Sequence, residues 1–153
     1  MQWVSEVKCI EGVGLEGDRY ATKKGTYSNT HNLGKPGVLM RQVTLISNRE
    51  IHQGNMTLIQ NGFARLSNHE FKAEDTRRNL IVEGDIEMKS LVGKEFVFGN
   101  TWFRGFEECP PCQVPNKDCK QGFEVGFKQF GGLRAEILNT EVIWIGAELF
   151  IKE

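Results

Sequence analysis

Short apolar runs set apart by glycine dominate the chain: Trp3 to Ile10, Gln42 to Ile46, Leu80 to Val82, Glu95 to Phe98, Trp102 to Phe106 and Glu141 to Ile151. Each is about as long as a strand. Several alternate along the chain, as in Phe96/Phe98 and Trp102/Arg104/Phe106, and strand geometry turns such a set toward one face. The pattern predicts a mainly β fold. The 17 glycines lie mostly between these runs and suit the turns and tight bends of a barrel or sandwich. Trp3, Trp102 and Trp144 each fall inside a run, which places them in the expected core.

Helical signals are few. Ser47-Asn48-Arg49-Glu50 has the spacing of a capping box and Gly54 offers a stop, so a helix of about two turns is expected. Ser67-Asn68-His69-Glu70 has the same spacing and predicts another short helix reaching Asp75. The segment from Thr22 to Pro36, rich in Thr, Lys, Gly, Ser and Asn, reads as a long loop.

Composition narrows the class. At 153 residues, 39% hydrophobic and 25% charged, the chain has the make-up of an ordinary globular protein expected to form one domain over residues 1–153. The formal net charge of −1 gives no long-range attraction to nucleic acid or to an anionic membrane. The first residues lack the basic and apolar blocks of a secretory signal, and no apolar run approaches the ~18 residues a spanning helix needs. A cytoplasmic location is therefore expected. There the four cysteines act as thiols, metal ligands or reactive groups more readily than as a disulfide framework.

Four stretches can carry chemistry. Gly12-Val13-Gly14-Leu15-Glu16-Gly17 has the letters of a dinucleotide fingerprint, but Asp18-Arg19-Tyr20 leads into the long loop where that fingerprint requires a helix. It reads better as a glycine-rich turn presenting Asp18 and Arg19. Arg77-Arg78-Asn79 stands before the Leu80 run and offers donor forks suited to phosphate or carboxylate; the alternative is solvated charges pairing with Glu74 or Asp75. Cys109-Pro110-Pro111-Cys112 holds two thiols on a stiff turn, because proline fixes φ and removes the backbone donor. That turn could bear a reactive thiolate or persulfide, or half of a zinc site with Cys119 as third ligand, or two buried apolar cysteines. For zinc, the possible fourth ligands His31, His52, His69 and Cys9 are all distant in sequence. Finally, Gly131-Gly132 permits close backbone approach, and Arg134 follows it.

Six motifs in order resemble the MOSC domain, named for the C-terminal domain of molybdenum cofactor sulfurase. They are Gly14 to Tyr20, Arg41 to Ile46, Arg77 to Gly84, Leu91 to Phe96, Cys109 to Cys112 and Gly132 to Leu138, together spanning about residues 3 to 150. The resemblance implies a mixed β-barrel with a few short helices. It also implies the molybdenum cofactor, with Cys112 as the catalytic cysteine and molybdenum ligand. Asp18, Arg19, Arg78 and Asn79 match other characteristic polar positions of the family, and with Arg134 they are the residues expected to bind the cofactor. Bacterial stand-alone relatives reduce N-hydroxylated compounds, so the implied activity is reduction of an N-hydroxylated or N-oxide small molecule with a separate reductase. The alternatives are a sulfur carrier loaded on Cys112 by a cysteine desulfurase, and a zinc-binding or structural barrel. The chain departs from the family where Pro110 replaces a common acid and where Ala147 follows Gly146 in place of aspartate. It has no room for a pyridoxal-phosphate or iron–sulfur domain.

Overall fold

A computed structural model of the chain describes residues 3–17, 42–62, 70–109 and 122–152. Their strands are β1 Glu6–Ile10, β2 Gly14–Leu15, β3 Val43–Ser47, β4 Leu80–Val82, β5 Glu95–Phe98, β6 Thr101–Glu108, β7 Leu133–Ile137, β8 Glu141–Trp144 and β9 Leu149–Ile151. Helices among these residues are α1 Asn48–Gln60 and α2 Phe123–Gly126, with 3₁₀ turns at Ala73–Thr76 and Met88–Leu91. The fold is mainly β with short helices, as expected. The described residues divide into two compact units, one from Thr44–Ser90 and Glu108–Leu133, the other from Gln2–Val43, Leu91–Glu107 and Arg134–Glu153.

In the first unit, β3 and β4 pair in parallel through Leu45 and Leu80, Ile46 and Ile81, and Ser47 and Val82. Parallel partners need a crossover connection, and α1 lies in it. The capping box at its start forms as predicted: Glu50 N donates to Ser47 Oγ at 3.2 Å, and Ser47 N donates to Glu50 Oε1 at 3.0 Å. The helix is longer than expected, 13 residues, and runs through Gly54. The reason is packing. A Cβ on Gly54 would stand 2.4 Å from the Phe127 ring, so this glycine admits α2 and does not stop α1. Ile46, Ile51, Leu58, Phe71, Phe123 and Phe127 form the core beneath it. Phe123 and Phe127 stack with ring centroids 4.8 Å apart, and Phe71 lies tilted against Phe123 at 5.4 Å. Asn55 ties the chain at Phe71 to α1, accepting from its N–H at 2.7 Å and donating to its carbonyl at 2.9 Å. The second capping spacing falls mostly on residues 63–69, outside the described residues; from Lys72 onward the helical structure is the Ala73–Thr76 turn.

In the second unit, β1 pairs antiparallel with both β2 and β8, and a further run of strands has the order β7-β6-β5-β9. Phe96 on β5 faces Phe103 on β6 in register, and Phe98 packs edge-on to both. The alternation on β6 buries Thr101, Phe103 and Gly105 and turns Trp102, Arg104 and Phe106 outward. The expected core tryptophans are exposed, by 59% for Trp3, 37% for Trp102 and 44% for Trp144. An alternating run specifies two faces, and the packing against Phe96 and Phe98 decides which is inside. The run from Glu141 to Ile151 is two strands, split at Gly146, whose φ is +93°. β7 is an unanticipated strand: Leu133, Ala135 and Ile137 are buried between half-buried Arg134 and Glu136.

Candidate functional site

The described part of the site is built at Cys109, the residue that follows β6. The Cys109 N–H donates to the Gly132 carbonyl at 2.9 Å, and its side chain is buried as a free thiol. Its own carbonyl accepts from Arg78 Nη2 at 3.3 Å, while Arg78 Nε donates to the Gly131 carbonyl at 2.7 Å. One guanidinium thus spans the strand that leads into Pro110 and the glycine pair that precedes β7.

Local backbone geometry brings Arg78 there. The Ala73–Thr76 turn ends at Arg77, whose φ of +57° is rare for a residue with a side chain and reverses the chain. Arg78 then points inward with 4% of its surface exposed, and its guanidinium lies 5.3 Å from the centre of the Phe123 ring. This excludes the solvated-charge reading for Arg78. A planar guanidinium can stack on an aromatic face while donating in its plane, which a lysine ammonium does not reproduce. Gly132 completes the junction at φ +99°: a Cβ there would stand 2.1 Å from the Leu45 carbonyl oxygen.

Asn79 follows and fastens β4 beside β3. Its Oδ1 accepts from Thr44 N at 2.9 Å and Thr44 Oγ1 at 3.1 Å, and its N–H donates to Thr44 Oγ1 at 3.1 Å. Arg134, in the second unit, pairs with Glu107 and lies over the Phe106 ring, 5.8 Å from its centre. The structure therefore joins Arg78 to Cys109 and shows protein partners for Asn79 and Arg134. Asp18, Arg19, Cys112 and Cys119 lie outside the described residues. Within Gly12 to Gly17 the chain forms a turn and the short strand β2, with no helix of the dinucleotide type.

Gly131 and Gly132 were legible as a place of close approach, but nothing in the sequence linked them to Arg78. Two further ionisable groups, Cys9 and Glu50, are buried away from this junction. Burial pushes the Cys9 thiol up to about 11, against a smaller opposing effect of the Thr101 hydroxyl, so it is an inert core group. Burial likewise raises the Glu50 carboxyl above its ordinary range, opposed by its bonds to Ser47. Among the described residues no three or more His, Cys, Asp or Glu side chains are grouped to hold a metal. Nor is any described helix long and apolar enough to cross a membrane.

The comparisons agree with this architecture. The sequence model of the MOSC domain matches residues 28–149. Among solved structures, the YuaD protein from Bacillus subtilis is similar at a TM-score of 0.74 and 16% identity, over 97% of this chain and 85% of that one. YiiM from Escherichia coli is similar at a TM-score of 0.58 and 16% identity, over 100% of this chain and 65% of that one. YiiM from Geobacillus stearothermophilus gives 0.53 and 18%, over 74% and 55%. The chain thus spans less than two thirds of the length of either YiiM protein. No curated protein matches the sequence. With the family match covering most of its length and solved structures sharing its fold, the chain belongs to the MOSC domain family and has its mixed β-barrel fold.

Proposed function

We propose that residues 1–153 act as one MOSC domain that binds the molybdenum cofactor and reduces an N-hydroxylated or N-oxide small molecule in the cytoplasm, with electrons from a separate reductase. The observation that carries the reading is the buried guanidinium of Arg78 on the carbonyl of Cys109, the residue that opens the Cys109–Cys112 segment. The residue types of the proposed set suit the cofactor. A group that is always charged favours an anionic neighbour, and cationic surroundings raise the thiolate fraction of a cysteine. Cys112 would hold the metal through soft sulfur. Asp18, Arg19, Arg78, Asn79 and Arg134 are the polar residues that would bind the cofactor in this reading. When bound, the cofactor would supply two-electron oxygen-atom chemistry, and the protein's part is to orient it and to exclude water.

The test is metal analysis of protein made in molybdate-supplemented cells, with intact mass recorded under non-reducing conditions. About one equivalent of molybdenum, lost in Cys112→Ser with the fold retained, is the expected result. Retention in that variant overturns the ligand assignment. Absence of molybdenum with one extra sulfur on Cys112, after treatment with a cysteine desulfurase, would replace this reading with that of a sulfur carrier. Stoichiometric zinc dependent on Cys109, Cys112 and Cys119 would replace it with a structural site.

A further inference from the structure

We infer that the outer face of the β7-β6-β5-β9 sheet pairs with the same face of a second copy of the chain, about a two-fold axis that runs along the strands between β6 and β5. Two rows of side chains cross this face. One is charged and alternates in sign. Glu136 on β7 accepts from Arg104 Nη1 on β6 at 3.1 Å, Arg104 Nη2 donates to Glu95 on β5 at 3.2 Å, and Glu95 accepts from Lys152 Nζ, next after β9, at 3.1 Å. The other row is apolar. Leu138 N, next after β7, donates to the Trp102 carbonyl at 2.8 Å, Trp102 stands opposite Val97, and Val97 stands opposite Phe150. Residues two apart on a strand share a face, so both rows lie on the side turned away from buried Phe96, Phe98 and Phe103.

An antiparallel sheet with one face in water usually carries polar residues there. Here Trp102 and Phe150 are exposed, Phe150 by 61%, and aromatic side chains are what protein interfaces enrich at their centres. The charges say which partner fits. A two-fold axis along the strands reverses the order of the strands and keeps each row opposite itself. Glu136 then faces Lys152 of the second copy and Arg104 faces its Glu95, so every charge meets its opposite. The apolar row obeys the same operation: Trp102 meets the smaller Val97, and Leu138 meets Phe150. A slip by one strand would set Arg104 against Arg104 and Glu136 against Glu95, so the row also fixes the register. Lys152 and Arg104 hold the Glu95 carboxyl below its ordinary range, which keeps the row charged. The strands of the two copies stay aligned, a common arrangement for stacked sheets.

Reversing the charged row tests the pairing while keeping its alternation. The variant Glu136→Lys, Arg104→Glu, Glu95→Lys, Lys152→Glu retains opposite charges on neighbouring strands and is again its own complement. Against the wild-type row it opposes like charges at every position. Wild-type and reversed chains, one of them tagged, are mixed and their association is followed by sedimentation and light scattering, with circular dichroism as the check of folding. Each chain is expected to form dimers with itself, and mixed dimers to fall at least about tenfold below the share that random pairing gives. Phe150→Asp, at an exposed position, is expected to raise the dimer dissociation constant about 100-fold. A two-fold contact counts one substitution twice, and the loss of each anchor is worth about tenfold. A wild-type chain that stays monomeric at about 1 mM would overturn the inference and leave the face to a partner of another kind. Mixed dimers at the random share would overturn it by placing the contact elsewhere, for example at the edge of β9. A folded reversed chain that stays monomeric would overturn it too, as would a wild-type dimer that Phe150→Asp leaves unchanged; this last comparison decides by itself should the reversed chain not fold. Neither cofactor nor substrate enters these measurements, so their outcome is independent of the proposed function.

Discussion

Three glycine-to-alanine substitutions separate two physical costs that meet at the site's junction. Gly146 has φ +93° and open space around its missing Cβ, so Gly146→Ala introduces backbone strain alone. Gly105 carries no positive φ, but a Cβ there would stand 2.0 Å from the Leu91 carbonyl oxygen, so Gly105→Ala introduces a clash alone. Gly132 has both, with φ +99° and the Leu45 oxygen at 2.1 Å. Holding a side-chain-bearing residue in a sparsely populated backbone region costs about 1–3 kcal/mol. Overpacking of an interior position costs about 1–3 kcal/mol more, and here the obstacle is backbone that cannot rotate aside. Gly132→Ala is therefore expected to destabilise by roughly 2–6 kcal/mol, near the sum of the other two, since each acts on its own group. A loss at the upper end approaches the whole stability of a small domain. Urea unfolding followed by tryptophan fluorescence measures all three. Gly132→Ala no more damaging than Gly146→Ala would refute the reasoning, because it would mean that the backbone at Gly132 can move off Leu45 at no cost.

Other consequences are open to measurement. Because burial raises the folded-state pKa of Glu50 above its unfolded value, the native state binds that proton more tightly. The resulting stabilisation is complete below the unfolded value and is lost as pH rises through the folded one. Glu50→Gln, whose amide oxygen can still accept from Ser47 N, should gain on wild type as pH rises through that window; equal pH slopes in urea titrations would contradict this. Asn55→Ala removes both bonds to the Phe71 backbone and should cost about 1–3 kcal/mol, since one donor and one acceptor lose their partner; a loss below experimental error would mean that water replaces them. Cys9, with its thiol pushed up to about 11, should resist iodoacetamide in native protein at pH 8 and react once unfolded; native labelling would show that β1 opens.

Local order in the sequence determined a good deal. The strand runs at residues 80–82 and 95–98 coincide with β4 and β5, and in β5 the period-two burial of Phe96 and Phe98 is a property of neighbouring residues. The Ser47 capping box is likewise written within four positions. The family motifs identified the fold class and singled out Arg78, Asn79, Arg134 and Cys112. Contacts across the chain decided the rest. Gly54 signalled a helix end on local grounds, yet α1 continues because Phe127, far along the chain, occupies the space a side chain would take. Trp102 and Phe103 are neighbours with equal claims to a core, and pairing with Phe96 sends one in and the other out. Arg78 read as a charge for a ligand or for solvent. Only folding brings it to the carbonyls of Cys109 and Gly131, 31 and 53 residues further along the chain. Hydrogen bonds between such distant groups leave no periodicity in a sequence, so their geometry belongs to tertiary structure alone.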